Sequence, residues 1–328
     1  MNRHCLLITS SPAYILGLNS ILNAFEYYGS DNTDVVIMHP SSMVPYVEYV
    51  KDKFSYSIIS ESVEAWGDKT MCWPIGSNVF NENMNCVWAE YNYMDSIKDK
   101  YDAICMCDAD MLILGDIRPY MKIAAGTDLI LLPHFVRCGV HVEDYKTSAD
   151  PEKLARGFPV FPCIMFFNPK HHIDIMNYVW KNRWNNEDRP LEEQIPQEEM
   201  YLINMALIEL NKVDKVLELP GYLWMGDIHL SEHNVFLDSN AKFHISLPRP
   251  YSERIMAMHS RWWNKNVIMG GINHLNEDPV NQDRMKRFAS VFEQAIDLFN
   301  NRCTVTLKDI RNVGGYDGAV DAFEKLSY

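Results

Sequence analysis

Residues 101–117, YDAICMCDADMLILGDI, form an apolar run that closes on two aspartates, Asp108 and Asp110, before the chain turns apolar again. A buried carboxylate is costly unless something compensates it, and two so close repel each other unless a cation lies between them. Carboxylates at i and i+2, just beyond a strand, can both reach one divalent cation. Their hard oxygens suit Mg²⁺ or Mn²⁺, which also accept phosphate oxygens as ligands. The stretch therefore predicts a buried strand whose carboxyl end carries a metal and a diphosphate. A solvated turn in which Asp110 caps the next element is the plain alternative. A phosphatase that uses the first aspartate as nucleophile is another, although such enzymes usually carry the pair near the domain start.

Strand-like and helix-like runs alternate upstream. HCLLITS, DVVIMHP and SYSIIS read as strands. AYILGLNSILNAFEYYG shows helical spacing in Ile15, Leu18, Leu22 and Phe25, with Gly29 as the stop. SMVPYVEYVKDKF reads as a short helix, and residues 81–99 as a helix leading into YDAICMC. This alternation predicts an α/β fold with a mainly parallel central sheet and helices on both faces. In such sheets ligands collect beyond the carboxyl ends of the strands, where Asp108 and Asp110 would lie.

Downstream, DLILLPHF, FPVFPCIMFFNP, KVLELP and the start of MAMHSRWWNKN read as further strands. KHHIDIMNYVWKNRW and PQEEMYLINMALIELN read as helices, and PVNQDRMKRFASVFEQAIDLFNN as an amphipathic one with Met285, Phe288, Phe292, Ile296 and Phe299 on one side. The expectation is one domain over residues 1–275, with a nucleotide-binding half to about 117 and a sugar and acceptor half over 118–275. Residues 276–328 would be a helical extension packed on the same domain.

A net charge of −14, from 30 basic and 44 acidic residues, argues against broad binding to nucleic acid or an anionic membrane. No stretch approaches the roughly 20 apolar residues of a membrane span. The opening MNRHCLLITSSPAYILGLNS lacks the apolar core and cleavage site of a signal peptide, so the cytoplasm is expected. The eight scattered cysteines then read as buried, reduced thiols.

CMCDADMLILGDIRPY resembles the metal-binding segment of the glycogenin-like glycosyltransferases, family 8 of the retaining, nucleotide-sugar-dependent enzymes. The resemblance implies a single Rossmann-like domain of the GT-A type. In it the D-x-D carboxylates hold Mn²⁺ on the diphosphate of a nucleotide sugar, most often a UDP-sugar. By that likeness Asp108 and Asp110 are metal ligands, and Asp108 and Ala109 also line the donor. LLITSSPAYILGLNSI is similar to the family's first strand and helix. Thr9, Ser10 and Ser11 would then line the nucleotide pocket, and Tyr14 would stack on the base, as an aromatic face can do without sequence-specific hydrogen bonds. A simple packing role at the helix start also fits Tyr14. In HSRWWNK, His259 would complete the metal site and Lys265, six residues on, would hold the diphosphate.

Departures from the family pattern gather in the sugar and acceptor segments. Trp262 stands where the family has glycine between the histidine and the lysine, and Pro162–Cys163 replaces Ser-Gly. Glu199–Met200 replaces Asp-Gln, with Glu198 an equally good acid by chemistry. The helix before the D-x-D offers Glu90 or Asn92 where the family has a basic residue. His229 and His233 could share a helix face as zinc ligands, but no third ligand follows at a recognisable spacing.

The implied activity is metal-dependent transfer of a hexose from a UDP-sugar to a hydroxyl of a glycan, lipid or protein, with Glu198 or Glu199 facing the sugar. Two other functions stay open: a phosphatase or nucleotidyltransferase using the same aspartates, and a family member that binds a nucleotide sugar or glycan without turnover.

Overall fold

The computed structural model of the chain describes residues 3–66, 81–133, 162–183, 198–219, 224, 235–237, 243–246, 252–254, 256–259, 303–317 and 320–321. The chain runs β1 (His4–Thr9), α1 (Ile15–Tyr28), β2 (Thr33–His39), α2 (Val44–Lys51), β3 (Ile58–Ser62), α3 (Val63–Trp66), α4 (Asn81–Ile97), β4 (Ala103–Asp108) and β5 (Met111–Ile113). It continues through α5 (Arg118–Gly126), β6 (Ile130–Pro133), β7 (Ile164–Phe167), α6 (Pro169–Asn182), α7 (Glu198–Glu209) and β8 (Val216–Leu219). Then come β9 (Val235–Leu237), β10 (Phe243–Ser246), β11 (Ser252–Arg254), β12 (Ala257–His259) and α8 (Leu307–Val313).

Seven strands form one sheet in the order β3-β2-β1-β4-β7-β6-β8. β7 is antiparallel to both its neighbours, and the other neighbouring pairs are parallel, so six strands point the same way. β1, β2 and β4 are buried almost throughout, which is why they read as continuous apolar runs rather than alternating ones. The two faces are covered by different helices. Thr9 of β1 reaches Glu90 of α4. Phe166 of β7 pairs in register with Cys105, which pairs with Leu6, a position of opposite parity to Thr9, and it meets Tyr120 of α5. Successive strand residues face opposite sides, so α4 and α5 lie on opposite faces of the sheet. α6 packs on α4 and α7 on α6, extending the α4 layer.

The sequence shows helical spacing in Ile15, Leu18, Leu22 and Phe25, and in the structure every residue from Ile15 to Phe25 is buried. Its polar side is covered by residues 303–306. The Asn23 side chain accepts hydrogen bonds from the Thr304 and Val305 amides at 2.9 and 3.1 Å and donates to the Val305 carbonyl at 2.9 Å. Asn19 donates to the same carbonyl and accepts from the Tyr46 hydroxyl. α8 follows with a capping box between Thr306 and Asp309, and Asp309 also accepts from Tyr49 of α2. At the other end of α1, Gly29 takes φ +124°, and a Cβ there would run into the Arg118 guanidinium. Arg118 binds both Asp116 and Asp31 and donates to the Tyr28 carbonyl, tying the start of α5 to the end of α1.

Asn23→Leu should keep the shape of α1 but leave the Thr304 and Val305 amides without their acceptor, while Asn19 still serves the Val305 carbonyl, costing about 2–4 kcal/mol. Denaturant unfolding reads the loss. Limited proteolysis should then cut first near residue 303; unchanged stability and cleavage would show that this segment is not held by Asn23.

Candidate active site

β1 and β4 pair in parallel with Thr9 opposite Asp108, so both chains leave the sheet at the same edge. Beyond β1, Ser10 and Ser11 are buried. The Ser10 amide donates to the Met38 carbonyl, the Ser10 hydroxyl to the Ser11 carbonyl at 3.3 Å, and Ser11 Oγ finds no partner among the described residues. A 3-10 turn, Pro12–Tyr14, then starts α1, with Tyr14 half-buried at its N-cap. Beyond β4 the turn holds Asp108, half-buried, with Ala109 and Asp110 buried. The Asp108 amide donates to the Cys163 carbonyl at 2.9 Å, so the segment that departs from the family pattern abuts the D-x-D turn directly.

β5 continues from that turn and pairs antiparallel with β12, placing His259 opposite Met111, the residue after Asp110. Residues far apart in sequence are thereby brought to one spot by backbone pairing alone. The side chains of His259 and Glu198 lie outside the described residues, as do Lys265, the His229 and His233 pair, and the amphipathic helix expected over 279–301.

α4 supplies Tyr91, which the sequence reading did not place in the site, and Glu90, which it noted only as standing, like Asn92, where the resembling family has a basic residue. Glu90 Oε2 accepts a 2.6 Å hydrogen bond from Thr9 Oγ1, and the Tyr91 hydroxyl donates to Glu199 Oε1 of α7 at 2.5 Å. Asn92, the other candidate at the family's basic position, instead donates to the Trp66 carbonyl. Signals for these contacts were faint, because helical spacing gives Glu90 and Tyr91 no distinguishing pattern. Only the missing basic residue pointed at Glu90.

The electrostatics follow from this crowding. Burial, and then the charge of Glu199, pushes the Glu90 carboxyl well above the usual carboxylate range. Burial raises Glu199 to about 7, assisted by the negative charge of Asp110 and opposed by the Tyr91 hydrogen bond. Burial also lifts the Tyr91 phenol, so it stays a donor. Cys107 is raised by burial, with added repulsion from Cys105, Asp108, Asp110 and Glu90, which fits an inert thiol. Cys5, Cys105, Cys107 and Cys163 are buried and Cys303 is half-buried, none of them in a disulfide.

No three His, Cys, Asp or Glu side chains among the described residues come together as a finished metal cage. The donor set still suits a hard divalent cation: two carboxylates on one short turn, with a third, Glu199, that holds its proton mainly because it is buried and secondarily because of the charge of Asp110. A pocket also opens at the opposite end of the sheet, lined by Arg3, Asp31, Asn32, Asp34, Tyr56 and Ser57 among others. Its charged groups are already paired, Arg3 with Asp34 and Asp31 with Arg118.

No protein-family model matches the sequence, and no curated protein matches it significantly. Solved structures do match the fold. The galactosyltransferase LgtC, solved with donor and acceptor sugar analogs, superposes with a TM-score of 0.51 at 11% identity, over 89% of this chain and 95% of LgtC. An active-site mutant of LgtC gives 0.50 at 12% identity, over 83% and 98%. The glycosyltransferase GlyE of Streptococcus pneumoniae TIGR4 gives 0.43 at 12% identity, over 67% of this chain. The chain spans less than half the length of GlyE and of the bifunctional glycosyltransferase WbbM, 45% and 39%. The fold is therefore the GT-A type seen in glycosyltransferases, a single α/β domain with a mostly parallel sheet, as the sequence predicts. No helix among the described residues is long and apolar enough to cross a membrane.

A carboxyl raised on folding holds its proton more tightly in the folded state, so its contribution to stability is present below its unfolded pKa and lost as pH rises through the folded value. For Glu199 that loss sets in above its ordinary value of 4.5 and is complete near 7. In metal-free protein, Glu199→Gln and wild type should melt alike at about pH 4, and the variant should melt higher by about pH 8. Comparing the two cancels the histidines. A gap that does not change with pH would refute the assignment.

Proposed function

We propose that this chain is a metal-dependent glycosyltransferase of the glycogenin-like, family 8 type, which moves a hexose from UDP to a hydroxyl of a glycan, lipid or protein with retention at the anomeric carbon. The observation that carries the proposal is the pairing of His259 with Met111, which brings the late histidine strand alongside the D-x-D turn. Sequence distance alone gives no reason for that meeting. A metal site of two aspartates and a histidine does.

Asp108, Asp110 and His259 would hold Mn²⁺ or Mg²⁺. When bound, such an ion neutralises charge that builds on a diphosphate leaving group. Lys265 would add a positive charge to the same group. Thr9, Ser10, Ser11 and Ala109 would line the nucleotide, with Tyr14 against the base. Glu199 would face the sugar, orienting its hydroxyls or stabilising positive charge at the anomeric carbon, with Glu198 as the neighbouring acid. Transfer of this kind passes through an oxocarbenium-like state, so an ionised carboxylate on that side favours it electrostatically.

The test is UDP release from a panel of UDP-hexoses, with Mn²⁺ and with EDTA. Metal-dependent release is expected, falling at least about 100-fold in Asp108→Asn or Asp110→Asn. Phosphate or pyrophosphate release that needs no sugar donor would favour the phosphatase or nucleotidyltransferase. Tight UDP binding with no turnover of any donor or acceptor would leave the non-catalytic binder.

A further inference from the structure

Consecutive residues on α4 hydrogen-bond different elements of the site. Side chains one apart on a helix point about 100° from each other. Glu90 meets Thr9 at the end of β1, and Tyr91 meets Glu199 in the first turn of α7. Both α4 residues are buried, Tyr91 completely, and the Tyr91 ring packs against Trp88 one turn away. The helix is thus pinned to the end of β1 through one residue while the next grips a carboxylate of α7. Glu199 itself keeps some exposed surface. Left alone, its side chain has several rotamers, and repulsion from Asp110 favours those that swing it away. A buried phenol with two torsions is a stiff donor by comparison.

From this arrangement we infer that Tyr91 is a positioning residue: its hydroxyl holds Glu199 Oε1 at the site, and the Glu90–Thr9 hydrogen bond fixes the helix from which it acts. The inference rests on the proposed role of Glu199 toward the sugar. It adds the device that keeps the carboxylate aimed while the helix stays in register with the strand end carrying the nucleotide.

Tyr91→Phe removes the donor and keeps the buried ring. Turnover of the best UDP-hexose and calorimetric binding of UDP with Mn²⁺ should be measured for wild type, Tyr91→Phe, Glu199→Gln and the double variant. Tyr91→Phe should lower kcat by about 10- to 100-fold, with KM and the UDP Kd within about twofold, the scale set by a misplaced catalytic group. The double variant should be no slower than Glu199→Gln alone, because the two residues act as one unit. A purely structural role would instead weaken UDP binding together with kcat, or multiply the two losses, and either result overturns the inference. Wild-type kcat in Tyr91→Phe beside a crippled Glu199→Gln refutes Tyr91 alone and spares the proposed function. Wild-type kcat in Glu199→Gln removes the premise, and with it the inference.

Discussion

The parallel pairing of β1 with β4 is the constraint on which the site depends. In-register hydrogen bonding sets Thr9 beside Asp108, so the two chains must leave the sheet together and turn at the same edge. Everything at that edge is then positioned from the sheet outward. The reversed strand β7 ends the parallel run and brings the Cys163 carbonyl to the Asp108 amide, which anchors the turn carrying the aspartates. β5 grows out of the same turn and recruits β12. Backbone pairing decides which strand ends meet there.

That geometry has an electrostatic consequence. Glu90, Asp108, Asp110 and Glu199 converge on one end of a sheet whose interior is apolar. The protein manages part of the charge by itself. Burial pushes the Glu90 carboxyl toward its protonated form, and it still serves as an acceptor for Thr9. Glu199 takes a hydrogen bond from a phenol that favours its ionised form. Asp108 and Asp110 lie two residues apart at the same edge, and under the proposed function a hard cation shared between them offsets their charge. Stability and function pull against each other here: the metal-free fold carries repulsion that a bound ion would relieve.

Much of this was readable before the structure. AICMC is buried on both faces of the sheet, so it gave an unbroken apolar run, and the charges at its end stood out against it. The helices and strands up to Asp108, apart from the single turn α3, were likewise visible in their spacing. The strands β9, β10 and β11 were not read, and three further features left no local mark. β5 is only three residues long, too short for periodicity, and its pairing with β12 spans more than a hundred residues that no local pattern connects. The reversal of β7 leaves no mark, since IMFF reads the same in either direction of the chain. Asn19 and Asn23 bind the backbone of residues 304 and 305, a use of polar side chains that nothing local in the sequence announces. The site followed the same rule. The aspartates were legible from their local context, whereas Glu90 and Tyr91 gained meaning only when tertiary packing brought Thr9 and Glu199 to them.

The central claim is that the strand-end aspartates exist to hold a cation and a diphosphate together. Calorimetric titration of UDP into the full chain tests it most directly, run with Mn²⁺, with EDTA, and with the Asp108→Asn, Asp110→Asn double variant. The account predicts micromolar binding, on the order of 8 kcal/mol, that requires both the metal and the aspartates. Binding of equal strength in EDTA or in the double variant, or no heat with UDP or any other nucleoside diphosphate in the presence of Mn²⁺, would contradict it.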